Sequence, residues 1–123
     1  MDRDPLTQRV IGCAIEVHRT LGPGLLESTY ETCLSYELDL AGIVHRKQVA
    51  LPINYKGVLI DCAYRIDLLV QDSLIVEIKS VDALCPVHYA QLLTYMKLAD
   101  IPTGLLINFN VSRLIDGVKR FKL

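Results

Sequence analysis

The stretch from Arg65 to Lys79, Arg-Ile-Asp-Leu-Leu-Val-Gln-Asp-Ser-Leu-Ile-Val-Glu-Ile-Lys, constrains the fold of this chain most tightly. Apolar residues alternate with period two on both sides of a polar break. That is the pattern of a β-hairpin. With Gln71, Asp72 and Ser73 as a three-residue loop, Val70 is predicted to pair with Leu74, Leu68 with Val76, and Ile66 with Ile78, all on one face. The other face carries Leu69 opposite Ile75 and Asp67 opposite Glu77, with Arg65 opposite Lys79 beyond them. A slip of one residue would scatter the apolar side chains over both faces, so the pattern selects this register.

The flanking segments extend the hairpin into a layered fold. A helix is predicted from Thr7, its cap, to Leu21, with Val10, Ala14, Val17 and Leu21 as its apolar stripe. Gly22-Pro23-Gly24 stops it. A second helix runs from Leu25 to Ala41, with Tyr30, Leu34, Leu38 and Ala41 on one side, and Gly42 closes it. Val44 to Tyr55 reads as a strand bent at Pro52, Lys56-Gly57 as a turn, and Val58 to Val70 as the next strand. Pro86 opens a third helix that reaches Ala99. Gly104 to Phe109 is a continuous apolar run, the mark of a buried strand, and a short strand at Val118 to Phe121 follows. Helix, helix, three antiparallel strands, helix and strand make a mixed α/β fold, a central mixed sheet flanked by helices.

Composition narrows the function. At 123 residues the chain is expected to form one domain, residues 1–123. With 13 Lys and Arg against 14 Asp and Glu, it has no global positive field to attract a polyanion. Nucleic acid would have to be held weakly and locally, by Arg19, Arg46, Lys47, Lys56, Arg113, Lys119 and Arg120, unless these are only solvated surface. No apolar stretch is long enough for a membrane span, and the first residues do not read as a signal peptide, so a cytoplasmic protein is expected. The cysteines at 13, 33, 62 and 85 form no C-x-x-C pair and read as reduced core thiols.

The chemistry concentrates on the polar face of the hairpin. Directly opposed carboxylates repel. Three remedies are open: a hard divalent cation, protonation of one carboxyl, or neutralisation by Arg65 and Lys79. A third carboxylate, Glu27, lies in line with Tyr30, Leu34 and Leu38 and is expected to point with the apolar stripe. There it needs a partner or a metal, or the helix dipole. On the third helix His88, Gln91 and Tyr95 share one side. They are either a core tyrosine with two border residues or part of a site.

At these residues the sequence resembles a known family. Gly24-Leu-Leu-Glu27-Ser-Thr-Tyr30 is the signature of the bacterial and archaeal GxxExxY proteins, assigned to the PD-(D/E)XK nuclease superfamily with the restriction-endonuclease-like fold. The similarity spans nearly the whole chain: IEVHRTLGPGLLESTYE, YRIDLLV, IVEIKS, PVHYAQLLTY and GLLINF. It implies a nuclease that uses Mg²⁺ or Mn²⁺ to hydrolyse phosphodiester bonds, with DNA as the expected substrate. By the resemblance, Glu27, Asp67, Glu77 and Lys79 are the catalytic set, and Asp67, Glu77, Glu27 and the Ile78 carbonyl hold the metal. Gln91 and Tyr95 match a Q-x-x-x-Y element, and Tyr30 and His88 are auxiliary. Ile66 stands where the motif names proline. A catalytically silent nucleic-acid- or protein-binding module of the same fold is the alternative, and a hydrolase of some other phosphoester a third. Small nucleases of this fold often dimerise, and the strand at Val44 to Leu51 offers an edge for it.

Overall fold

Asp4 and Pro5 decide where the chain begins to coil. In the computed structural model, which describes residues 4–123, α1 spans Pro5–Leu21. The Asp4 carboxylate accepts from the Leu6 N–H at 3.0 Å and from the Thr7 hydroxyl at 2.9 Å. Pro5, lacking an N–H, costs nothing in the first turn. The helix therefore starts ahead of Thr7, the predicted cap, whose side chain is buried against the real one. The second helix, α2 (Glu27–Leu40), is shorter at both ends than predicted. Tyr30, Leu34 and Leu38 are buried as expected, but Ala41 is exposed.

The remaining elements are β1 (His45–Ala50), β2 (Ile53–Tyr55), β3 (Val58–Ile60), β4 (Arg65–Val70), β5 (Leu74–Lys79), α3 (Pro86–Ala99), β6 (Thr103–Asn108), a 3₁₀ turn (Leu114–Gly117) and β7 (Val118–Lys122). The main sheet has the order β1-β4-β5-β6-β7. Its pairs are antiparallel except β5–β6, which is parallel and is joined through α3. The predicted strand Val58 to Val70 is in fact two. The Asp61 carboxylate accepts from the Ala63 N–H at 2.8 Å, and Ala63 takes a φ of 62°. That turn releases β3 from the sheet, and β3 pairs with β2 in a separate ribbon.

Helices cover both faces of the sheet. Under α1 and α2 lie Leu68, Val70, Val76 and Ile78, with Phe109 stacked on Tyr30 at 4.5 Å between ring centres. Under α3 lie Ile66, Leu69, Ile75 and Leu106, packed on Leu92, Tyr95 and Met96. Strict alternation puts Ile66 with Leu68. It packs with Leu69 instead, so the alternation of β4 slips at Asp67. All four cysteines are free thiols, but Cys62 and Cys85 are exposed and only Cys13 and Cys33 approach the core. Among the described residues no helix is long and apolar enough to cross a membrane.

Two glycines separate tight packing from open space. A Cβ at Gly117 would lie 2.2 Å from the Asn108 carbonyl oxygen, a backbone atom at the end of β6. Around Gly12, on the exposed side of α1, nothing lies within 4 Å. Gly117→Ala should destabilise the protein by about 1–3 kcal/mol. Gly12→Ala should stabilise it by roughly 0.5–1 kcal/mol through helix propensity. Urea unfolding of both variants checks the contrast, and equal effects would contradict this packing.

Candidate active site

The hairpin keeps its predicted register only near its loop, through Val70↔Leu74, Leu69↔Ile75 and Leu68↔Val76. Beyond Leu68 the strands fork. The Asp67 N–H donates to Glu77 Oε2 at 2.8 Å, and the Ile78 N–H donates to Asp67 Oδ2 at 2.8 Å. Each carboxylate thus takes a backbone donor of the opposite strand, as a ladder carbonyl would in a continuous sheet. The predicted pairs Ile66–Ile78 and Arg65–Lys79 are absent from the ladder, and Asp67 and Glu77 meet through side chain and backbone. The fork gives each carboxylate an N–H donor, which a simple face-to-face pairing would not.

This arrangement strains the ionised forms. Glu77 is only 4% exposed. Burial, and then the neighbouring Asp67 charge, push its carboxyl up to about 8. Burial also raises Asp67, against the pull of the Ile78 N–H, Gln48 and Lys79. Arg65 does not neutralise the pair: its guanidinium turns to Asp61 at 3.4 Å and to the Tyr64 carbonyl at 2.8 Å. Lys79 stays close enough to favour the ionised form of both carboxyls. Its Nζ donates to Gln91 Oε1 at 3.4 Å, and Gln91 Nε2 donates to the Tyr95 hydroxyl at 3.1 Å.

On the other side, Asp67 and Ile78 line a cavity of about 440 Å³ with Glu27, Ser28, Glu31 and Gln48. Glu27 does not point into the core as its helical phase suggested. It opens α2 at an exposed rim, where its Oε2 accepts from the Ser80 N–H at 3.2 Å. Tyr30 and His88 stand apart. The Tyr30 hydroxyl, in the core, donates to the Gly22 carbonyl at 2.6 Å, while His88 Nδ1 accepts from the Cys85 N–H at 2.9 Å and caps α3. Three residues not singled out from the sequence, Ser28, Glu31 and Gln48, also line the cavity, and the last two bond across it. Gln48 Nε2 donates to Glu31 Oε1 at 2.6 Å and to Asp67 Oδ1 at 3.3 Å. Glu31 lies one turn after Glu27 on α2, a spacing that could have found it. Nothing in the sequence marks Gln48.

The donors at this cavity are oxygens: the carboxylates of Asp67, Glu27 and Glu31, with Ile78 beside them. Oxygen donors of this kind fit a hard cation such as Mg²⁺ or Mn²⁺, since Mg²⁺ is typically held by one or two carboxylates with waters completing its coordination. Among the described residues, no three His, Cys, Asp or Glu side chains gather as a metal cluster. Glu77 does not line this cavity; its Oε2 accepts from the Asp67 N–H at the fork. The expected cationic grip is also reduced. Arg46 pairs with Asp72 at 2.8 Å, Arg113 with Asp116 at 3.2 Å, and Arg19 with Glu16.

A family model of the PD-(D/E)XK nuclease superfamily matches residues 4–121. No curated protein and no solved structure matches the chain significantly.

The buried carboxyl of Glu77 carries a pH signature. Its value rises from 4.5 unfolded to about 8 folded, so between these the folded state binds more protons and stability falls as pH rises. In metal-free buffer, the melting temperature of the wild type should drop between pH 5 and 8.5. Glu77→Gln keeps an acceptor for the Asp67 N–H and should flatten that drop, matching the wild type near pH 5 and exceeding it above pH 8. Parallel curves in circular dichroism melts would contradict the burial of an ionisable Glu77.

Proposed function

We propose that this chain, which belongs to the PD-(D/E)XK nuclease superfamily, hydrolyses phosphodiester bonds of nucleic acid, DNA in the first instance, with Mg²⁺ or Mn²⁺ at the β4–β5 fork. The observation that carries this reading is the fork itself. Glu77 accepts from the Asp67 N–H and Asp67 accepts from the Ile78 N–H across diverging strands, and Lys79 follows Glu77 two residues on. A purely structural sheet would close this gap with its ladder and would not hold two carboxyls against their own desolvation.

Asp67 and Glu27 are the residues that would hold the cation, with the Ile78 carbonyl as a further oxygen donor. Bound there, a divalent cation supplies Lewis-acid activation of water and neutralises phosphate charge. Glu77 fixes the backbone of Asp67 and so the direction of its carboxylate. Lys79 presents an ammonium on the α3 side, suited to orienting the attacking water or stabilising charge on the phosphorane. Gln91 accepts from Lys79, and its amide, donating to the Tyr95 hydroxyl, is held with its oxygen toward the lysine. Tyr95 is 5% exposed and fixed in the core, so it is a firm anchor for this chain of bonds.

The test is cleavage of single-stranded and duplex DNA and RNA oligonucleotides with Mg²⁺ or Mn²⁺ and with chelator. Cleavage should require the cation and vanish in folded Asp67→Ala. Lys79→Met should slow it by about 10²–10³-fold, and Gln91→Ala by less. Cleavage surviving in a clean Asp67→Ala preparation would sink the assignment. The pairing of Arg19, Arg46 and Arg113 with acidic neighbours favours one second reading, a silent binding module of the same fold. Oligonucleotide binding without turnover under any cation would select it.

A further inference from the structure

Gln48 holds a backbone conformation that its strand does not ask for. It lies in the middle of β1 with a φ of 50°, in the left-handed region that residues with a Cβ avoid. β1 pairs with β4 through His45↔Val70, Arg46↔Leu69 and Lys47↔Leu68, and again through Val49↔Ile66 and Ala50↔Arg65. The register resumes without an inserted residue, so no bulge forces the break. The one position that drops out is Gln48, which faces Asp67. β4 is therefore released at Asp67 on both sides, by β5 at the fork and by β1 at Gln48. Such strain persists only where something else holds it, and it gathers at functional sites.

The side chain shows what the break serves. The Gln48 amide nitrogen donates to Glu31 at 2.6 Å and to Asp67 Oδ1 at 3.3 Å. A carboxamide has one end with two donors and one with only acceptors. Facing two carboxylates, only the donor end is tolerated, so Glu31 keeps the amide turned the right way for Asp67. The other Asp67 oxygen, Oδ2, is taken by the Ile78 N–H at 2.8 Å. The carboxylate is pinned at both oxygens, from two different strands, beside the cavity it shares with Glu27.

We infer that Gln48 is a positioning residue of this site: from its left-handed place in β1 it orients the Asp67 carboxylate for a divalent cation, with Glu31 as the anchor of its amide. This rests on the cation-binding part of the function proposed above. Outer partners of metal ligands commonly set affinity by 10- to 100-fold. The competing explanation is a backbone role alone, with the side chain incidental.

Gln48→Gly and Gln48→Ala separate the two. Both remove the carboxamide, but only glycine relieves the positive φ. The wild type, both variants and Asp67→Ala are titrated with Mn²⁺ by calorimetry, and their melting temperatures are measured. We expect Mn²⁺ affinity to fall by about tenfold or more in both Gln48 variants alike, while the glycine variant melts above the alanine variant. If the glycine variant loses less than about fivefold, or if affinity follows melting temperature across the two, the positioning role is overturned. In that case, loss of binding in Asp67→Ala leaves the cation site standing. If the wild type binds no Mn²⁺, the cation reading fails and takes this inference with it.

Discussion

Two backbone N–H groups, those of Asp67 and Ile78, lose their ladder partners where β4 and β5 diverge, and the site is built on how they are satisfied. An orphaned buried donor costs as much as a lost hydrogen bond. The nearest acceptors that can reach are the carboxylates of Glu77 and Asp67, each bonding across the gap at 2.8 Å. That exchange keeps the fork open while both N–H groups are paired, and no buried side-chain nitrogen or oxygen among the described residues lacks a partner. It also carries an electrostatic cost, since the acceptors that satisfy the backbone are ionisable carboxyls drawn out of water, where the charged form is disfavoured. The raised carboxyl of Glu77 is the consequence.

The two layers of helices divide the chemistry around this fork. On the α2 side lie Glu27, Glu31, Gln48 and Asp67, an oxygen-rich cavity that favours positive charge. On the α3 side lie Lys79, Gln91 and Tyr95, linked by hydrogen bonds into one line. The sheet separates an acidic half-site from a cationic one, and the fork is where they meet. The parallel step from β5 to β6 contributes to this. It brings the end of β6 beside Lys79, whose carbonyl accepts from the Phe109 N–H at 2.9 Å. A chain crossing through α3 thus places that helix and its glutamine over the lysine.

The three-residue loop Gln71–Ser73 sets which residues of Leu68, Leu69, Val70 and Leu74, Ile75, Val76 face each other, because in a hairpin the loop length fixes the register. The same rule failed one residue further on. Ile66 changes face because the backbone breaks at Asp67, and a conformational break leaves the apolar pattern intact. The division of Val58 to Val70 was hidden in the same way, since Ala63 carries no mark of its left-handed turn. Gln48 was illegible for a related reason: its strain belongs to the backbone and its partners come from α2 and β4. The predicted hairpin register sets Arg65 opposite Lys79, whereas its guanidinium reaches Asp61, four residues back, at 3.4 Å. Glu27, Asp67, Glu77 and Lys79 were visible as residue types. How they are arranged follows from the fork, which no local pattern states.

The electrostatics of the whole chain bear on how a polyanion would be held. The net charge is −1, and Arg19, Arg46 and Arg113 are already engaged with acidic neighbours. The long-range field therefore contributes little attraction, and the acidic cavity by itself repels phosphate. On the proposed reading, these two facts require that the cation come first: only after positive charge occupies the oxygen-rich side does the site turn from repelling phosphate to attracting it. Binding of nucleic acid should then depend steeply on divalent cation and only weakly on monovalent salt, because few Lys or Arg contacts release counterions. That inverts the behaviour of a basic nucleic-acid-binding surface. It follows from the fork, whose carboxyls satisfy the backbone first and leave their remaining lone pairs to a ligand.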